Sequence, residues 1–222
     1  MTIGLREIKA AMLALLIAAA LCLGGQRSAA AETQELVVAG GCFWCVEADF
    51  EKVRGVIGAE SGFAGGTVKN PTYREVTRGG TGHLEAVRIR FDPAQVTLAD
   101  LLHLFLRSID PTDAGGQFCD RGESYTTAVF VSDPAEKMVV QAAIDAASKA
   151  LGQNVVTPVR ALDTFWPAAV YHQDYYKSAG IVLTRFGPRT KSSAYSLYRK
   201  ACGRDARVRD LWGDAAPFAG GS

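Results

Sequence analysis

The chain has little of what usually announces a function at once. Its 222 residues include only three histidines and five cysteines, with no second close Cys or His pair to complete a metal-binding set. The one glycine-rich stretch, Gly62-Phe63-Ala64-Gly65-Gly66, lacks the Lys-Ser/Thr ending of a phosphate loop. No serine stands in a nucleophile elbow. Charge of neither sign is in excess: 24 Lys+Arg face 23 Asp+Glu, for a formal net charge of +1. That balance argues against a nucleic-acid partner held by bulk charge. With 48% hydrophobic and 21% charged residues, the chain is neither disordered nor collagenous. It also lacks internal repeats and linkers, and its length suits one well-packed domain.

Long apolar runs are equally scarce. The 14 residues Ala10 to Leu23 follow Arg6 and Lys9 and precede Ala29-Ala30-Ala31. This run is short of the ~20 residues a spanning helix needs. A basic start, a short apolar stretch and a small-residue site are the parts of a secretory signal. Residues 1–31 are therefore expected to be cleaved as an export signal, with an uncleaved anchor as the alternative. The mature chain would be periplasmic or secreted, without membrane attachment. Losing Arg6, Lys9 and Arg27 against Glu7 removes a net +2 and leaves −1. Four cysteines remain, Cys42, Cys45, Cys119 and Cys202. They are too few for a disulfide scaffold, yet in an oxidising compartment each must be paired, buried or redox-active.

Periodicity places the elements. Glu35 to Gly40 reads as a buried strand, and Phe43, Val46, Phe50 and Val53 recur at helical spacing from Cys42 to about Arg54. Residues 56–66 read as a strand entering a glycine turn, with Asn70-Pro71 opening a loop that holds Tyr73. Along residues 84–92, Glu85, Val87, Ile89 and Phe91 share one strand face. Thr97 and Asp100 form a capping-box pattern ahead of a helix. A polar loop spans 111–122, Tyr125 opens a strand to Val131, and Asp133-Pro134 starts a helix that Gly152 stops. Residues 155–162 read as a strand and 168–176 as a helix. From 187 the chain looks like an irregular tail after a core of about 35–186. The pattern is one α+β domain.

Chemistry concentrates at Gly40-Gly41-Cys42-Phe43-Trp44-Cys45. A thiol at the first turn of a helix meets unpaired N–H groups and the positive dipole end, which favour thiolate. A C-x-x-C pair at a helix start also suits a redox dithiol. The bland reading is a structural disulfide or two buried thiols. Glu85, on an otherwise apolar strand face, is expected to stay protonated and able to donate its proton. If the register is frayed, it lies in water instead. Tyr73 and Tyr125 could point hydroxyls into a site, though packing is the simpler role for each. His83, His103 and His172 are scattered and read as structural hydrogen-bonding groups.

These residues resemble the type A peptide-methionine sulfoxide reductase family. Gly41-Cys42-Phe43-Trp44 with Glu47 is similar to its signature, and the likeness runs on through Gly62–Gly66, Asn70–Val76 and Thr81–Val87. It continues through Phe105, Asp110-Pro111-Thr112, Asp120-x-Gly122-x-x-Tyr125, Phe165–Ala168 and Tyr171-His172-Gln173-x-Tyr175. It covers roughly residues 35–176. The resemblance implies an α+β two-layer sandwich with a ferredoxin-like core, and reduction of the S-epimer of methionine sulfoxide, free or in proteins. Cys42 would attack the sulfoxide sulfur and Glu85 protonate its oxygen. Tyr73 and Tyr125 would bond that oxygen, Phe43 and Trp44 line a methyl pocket, and Asp120 help anchor substrate. A second thiol would close a disulfide on the Cys42 sulfenic acid, and a thioredoxin-type donor would reopen it. No metal or organic cofactor is implied, and a monomer is expected.

Three positions depart from the commonest family pattern. Cys45 replaces a usual glycine, Thr126 a usual arginine, and Cys119 stands where a non-thiol residue is common. The resolving thiol stays open among Cys202, Cys45 and Cys119. Two other readings are a general thiol–disulfide oxidoreductase using Cys42 and Cys45, and a non-catalytic module that binds oxidised methionine.

Overall fold

The computed structural model describes residues 32–184 and 187–220. The expected export signal lies outside the described residues. From Thr33 onward the chain forms one compact unit. Strand β1 (Gln34–Gly40) leads into helix α1 (Phe43–Phe50), strand β2 (Val56–Ala64) and short helix α2 (Tyr73–Arg78). Strand β3 (Leu84–Phe91) and helix α3 (Leu98–Ser108) follow. A small ribbon, β4 (Gly116–Gln117) and β5 (Asp120–Arg121), precedes β6 (Thr127–Val131), helix α4 (Pro134–Leu151), β7 (Val159–Ala161) and β8 (Phe165–Pro167). The C-terminal part holds a ribbon, β9 (Ile181–Thr184) with β10 (Gly187–Thr190), and helices α5 (Lys191–Ala201) and α6 (Arg204–Trp212).

The six-stranded sheet runs β7-β6-β1-β3-β2-β8, antiparallel except for β6 with β7. Within it β6-β1-β3-β2, joined through α1 and α3, is the split βαβ arrangement of a ferredoxin-like core. Period-two alternation decides the layers. Val38, Phe63, Val87, Ile89 and Phe91 meet α1, α3 and α4 through Val46, Phe50, Leu101, Leu102, Phe105 and Ile144, all buried. Burying side chains of this size contributes about 1.5–3 kcal/mol each. The other face carries a smaller cluster, with Ala39, Ala64, Leu84, Ala86 and Phe130 against Leu162 and Phe165.

The start and stop signals of the long helices match their chemistry. Thr97 and Asp100 form a capping box on α3, and Asp133 caps α4, which ends on left-handed Gly152. Elsewhere local patterns were overridden. Tyr73 opens α2 instead of lying in a loop, because Thr72 and Glu75 make a second capping box. Tyr125 closes a 3-10 turn (Glu123–Tyr125), and the strand begins only at Thr127. The helix expected over 168–176 is two 3-10 turns. Between them the Gln173 side chain bonds both the N–H and the C=O of Ser61 (2.9 and 2.8 Å), and Asp174 adopts a left-handed φ of 54°.

The tail is not irregular: helices α5 and α6 dock on the sandwich. Their sequences read as polar because half of what they bury is charged, Arg199 and Arg204 beside Tyr195 and Val208. Arg199 is 3% exposed and ion-paired with Asp49 at 2.8 Å, while Arg204 is 2% exposed and donates to Gly40 O at 3.3 Å. Among the described residues, no helix is long and apolar enough to cross a membrane.

Candidate active site

Cys42 occupies the residue before α1, at the end of the central strand β1. The turn that places it requires glycine: Gly41 has φ +78°, and a Cβ there would lie 2.5 Å from Gln117 Cβ. The first free N–H of the helix, that of Phe43, donates to Glu85 Oε2 at 3.0 Å. One backbone bond therefore ties the thiol-bearing turn to β3, where Glu85 pairs opposite Phe63.

Both thiols of the C-x-x-C pair are buried. The helix start was expected to favour thiolate at Cys42, but burial dominates. It pushes the Cys42 thiol well up, and contact with Cys45 and the charges of Glu85 and Asp120 add to the shift. Cys45 moves the other way. Its hydrogen-bonding contact with Cys42 lowers it most, against the burial that opposes the shift, and nearby Arg204 and Arg199 help. Of the two sulfurs, Cys45 is the one held towards thiolate.

Glu85 is 2% exposed. Burial pushes its carboxyl up to about 8, against the Phe43 N–H, and the charges of Asp120 and Cys45 assist. Its second oxygen, Oε1, is buried and has no hydrogen-bond partner among the described residues. An unpartnered buried oxygen is costly, and a neutral carboxyl is the form that tolerates it. Tyr73 and Tyr125 bring their hydroxyls into mutual contact beside Glu85, and burial raises both, with the Glu85 charge next. Thr126, where an arginine was looked for, turns its hydroxyl back onto Glu123 O at 2.9 Å.

An aromatic box surrounds the thiol. Phe43 is buried, Trp44 stacks on Tyr175 with ring centroids 3.9 Å apart, and His172 stacks on Tyr73 at 4.4 Å and lies 5.5 Å from Phe43. His172 was read as a structural hydrogen-bonding group. It is instead a ring in this box, its Nδ1 unpartnered and its pKa lowered to about 4 by burial, with Lys191 assisting. Tyr175 and His172 were visible only as parts of the Tyr171–Tyr175 pattern, which names residues without saying where they face. His83 does bond structurally, receiving Gly66 N–H at 3.1 Å and meeting Val68 O at 2.7 Å. His103 lies exposed on α3. Glu47, also in the signature, is 1% exposed; it accepts from Ser61 Oγ and, at 2.5 Å, from Asp174 N–H, and burial lifts it to about 7.

Asp120 reaches the site from β5, and its carboxylate accepts the hydroxyl of Tyr198 on α5. Tyr198 was missed because it sits in the tail read as irregular. Beside it Cys119 and Cys202 form a disulfide across 83 residues, with Cα atoms 4.9 Å apart. Cys119, Asp120 and Cys202 converge within 4.8 Å, as a metal set would, but both sulfurs are committed to each other. A cleft of about 370 Å³ runs along this edge, lined by Trp44, Cys119, Tyr175, Tyr195, Tyr198 and Cys202.

Sulfurs that can change oxidation state, next to a neutral carboxyl that can protonate an oxygen, define a thiol-dependent redox enzyme. Comparison narrows that class. The family model described as peptide methionine sulfoxide reductase matches residues 34–201. A peptide methionine sulfoxide reductase MsrA 2 of Rhizobium meliloti is 46% identical, covering 86% of this chain and 89% of that protein. A second, from Caulobacter vibrioides, is 45% identical over 90% and 98%. The solved methionine sulfoxide reductase A of Corynebacterium diphtheriae superposes with a TM-score of 0.58 at 30% identity, covering 68% of this chain and 75% of that one. The chain belongs to the peptide methionine sulfoxide reductase family, and it is an oxidoreductase.

Proposed function

We propose that this protein reduces the S-epimer of methionine sulfoxide, free and within proteins, after export from the cytoplasm. The observation that carries the chemistry is Glu85 Oε1, a buried, unpartnered oxygen on a carboxyl lifted to about 8 beside Cys42. In this reading the S-methyl group sits in the box of Phe43, Trp44 and His172, and Asp120 anchors the rest of the residue. Cys42 sulfur attacks the sulfoxide sulfur while Glu85 gives its proton to the oxygen, with the Tyr73 and Tyr125 hydroxyls holding that oxygen. The oxygen passes from the substrate sulfur to the Cys42 sulfur as the transient bond between the two sulfurs breaks, methionine leaves, Cys42 is left as a sulfenic acid, and the Cys42 thiol proton restores Glu85. A second thiol then displaces the oxygen as water, forming a disulfide that a thioredoxin-type protein reduces. Export rests on the basic, apolar and small-residue order of residues 1–31 alone. A monomer is proposed as well.

The test is a single turnover without recycling reductant. Reduced protein mixed with a peptide carrying either sulfoxide epimer should release one methionine per chain from the S-epimer only, and Cys42→Ser should release none. Insulin reduction without sulfoxide consumption would favour a general dithiol oxidoreductase instead.

A further inference from the structure

One buried acid has no part in the sulfoxide chemistry. Glu47 is 1% exposed and lies on α1, three residues after Trp44. Residues three and seven apart share a helix face, so Trp44, Glu47 and Glu51 stand in one row on α1. Opposite that row runs the 3-10 turn Tyr175–Lys177, which Asp174 opens. Each member of the row meets it. Trp44 lies flat on Tyr175, with centroids 3.9 Å apart and planes at 13°. One Glu47 oxygen accepts the Asp174 N–H at 2.5 Å, and Glu51 accepts the Tyr176 hydroxyl at 2.6 Å and Lys177 Nζ at 2.7 Å.

The other Glu47 oxygen accepts the Ser61 hydroxyl. Ser61 is where the chain before the turn is also fastened, because Gln173 grips its backbone N–H and C=O. Asp174 is the residue that needs such support, since its φ of 54° is unfavourable for a side chain with a Cβ. A conformation of that kind persists only where its surroundings determine it. The turn therefore rests on Glu47 from α1 and on Ser61 from β2.

We propose that Glu47 is a positioning residue for substrate: it fastens the Asp174 turn to α1 and so holds Tyr175 flat on Trp44, the wall of the cleft on which the sulfoxide residue is bound. This deepens the sulfoxide-reductase reading and rests on it. Trp44 and Tyr175 both line the cleft, and both belong to the cluster that packs around Cys42. A wall that shifts changes how tightly substrate is held beside the sulfur before it changes the reaction there. What the site asks of Glu47 is reach rather than charge. Burial already lifts its carboxyl to about 7, against the bonds from Ser61 and Asp174. A neutral group of the same length can still accept the Asp174 N–H and donate to Ser61.

The test separates reach from charge in the full-length chain. Reduced protein releases methionine from a peptide S-sulfoxide in a single turnover, read over a range of peptide concentrations. Glu47→Asp keeps the charge and loses the reach. Its half-saturating concentration should rise about tenfold, the weight of a hydrogen bond to a charged group, with the rate at saturation changed less than about threefold. Glu47→Gln loses the charge and keeps the reach, and should stay within about threefold of wild type on both. Tyr175→Ala should raise the half-saturating concentration as Glu47→Asp does. The double variant should go no further than the larger single effect, because both act through one wall. Gln173→Ala loosens the same turn without touching the buried acid and should move the same quantity in the same direction.

A Glu47→Asp chain with a lowered thermal midpoint and an unchanged half-saturating concentration makes Glu47 a structural carboxylate and overturns the proposal. So do additive effects with Tyr175→Ala, or a Glu47→Gln chain as impaired as Glu47→Asp. A wild-type chain that releases no methionine overturns the sulfoxide-reductase reading, and the proposal falls with it.

Discussion

Two halves of the site are held by different physics. The half built on the sheet, with Cys42, Phe43 and Glu85, rests on β1, β3 and the apolar layer beneath α1 and α3, where Val87, Ile89, Phe50 and Phe105 show no exposed surface. Its polar ties are few: the Phe43 N–H on Glu85, and Ser61 Oγ on Glu47. The half brought by the C-terminal helices is held by directional bonds: Arg199 on Asp49 and Asp205, Arg199 on the Tyr195 hydroxyl at 3.0 Å, Arg204 on Gly40 O, Tyr198 on Asp120, and the Cys119–Cys202 disulfide. Apolar packing is non-directional and insensitive to redox state. Ion pairs depend on geometry and charge state, and a disulfide on oxidation state. The sheet half is therefore built to keep the reacting groups fixed, and the tail half to respond to chemistry done there.

The largest effect should fall on the sheet half. Glu85→Gln keeps the shape and removes the proton, so sulfenic acid formation in a single turnover should slow by about 10²–10⁴-fold, the usual range for a general acid. In the wild type that step should be flat with pH up to about 8 and fall about tenfold per unit above it, because the acid must be protonated. Linkage carries the same sign. Folding raises this carboxyl from its ordinary value, so its contribution to stability is complete at acid pH and is lost as pH climbs towards 8. The Gln variant should lose that slope. A Glu85→Gln protein with wild-type burst rate would remove the distinction between a chemical half and a responsive half.

How far the sequence revealed each half follows from the same contrast. The sheet half was legible because its signals are local: alternation put Glu85 with Val87, Ile89 and Phe91, and helical spacing from Cys42 put the thiol at a helix start. A capping box at Thr97 and the N-cap at Asp133 set the helix starts. The tail half was not legible. The pattern of α5, KSSAYSLYRKA, buries Tyr195 and Arg199 together, and no hydropathy scale anticipates an arginine 3% exposed. Its partner Asp49 lies 150 residues away. The motifs read from the sequence stop near residue 176, although the family model runs on to residue 201; they carried the names of the site residues but not the docking of α5 over Cys45.

Arg199→Ala tests whether the tail is held as described. It leaves Asp49, which has no exposed surface, without its cation, and breaking one partner out of a buried pair costs about 3–5 kcal/mol. Hydrogen exchange should show α5 and α6 losing protection, while β1 and β3 keep theirs. Protection lost evenly across the sheet would mean that the two halves unfold as one unit.

The smallest effect should also be the most discriminating. Tyr198 donates its hydroxyl to the Asp120 carboxylate, the same group that is proposed to anchor the substrate. A substrate must therefore displace the tail's hydroxyl or share the carboxylate with it. Tyr198→Phe keeps the ring on the aromatic wall and deletes one hydrogen bond at a half-buried site, worth about 1 kcal/mol. If the hydroxyl competes, KM for a peptide sulfoxide should fall about fivefold, with the single-turnover rate at saturation little changed. If the hydroxyl instead orients Asp120 towards substrate, KM should rise by a similar factor. The sign of that one change tells whether the tail half guards the entrance to the sheet half or completes it.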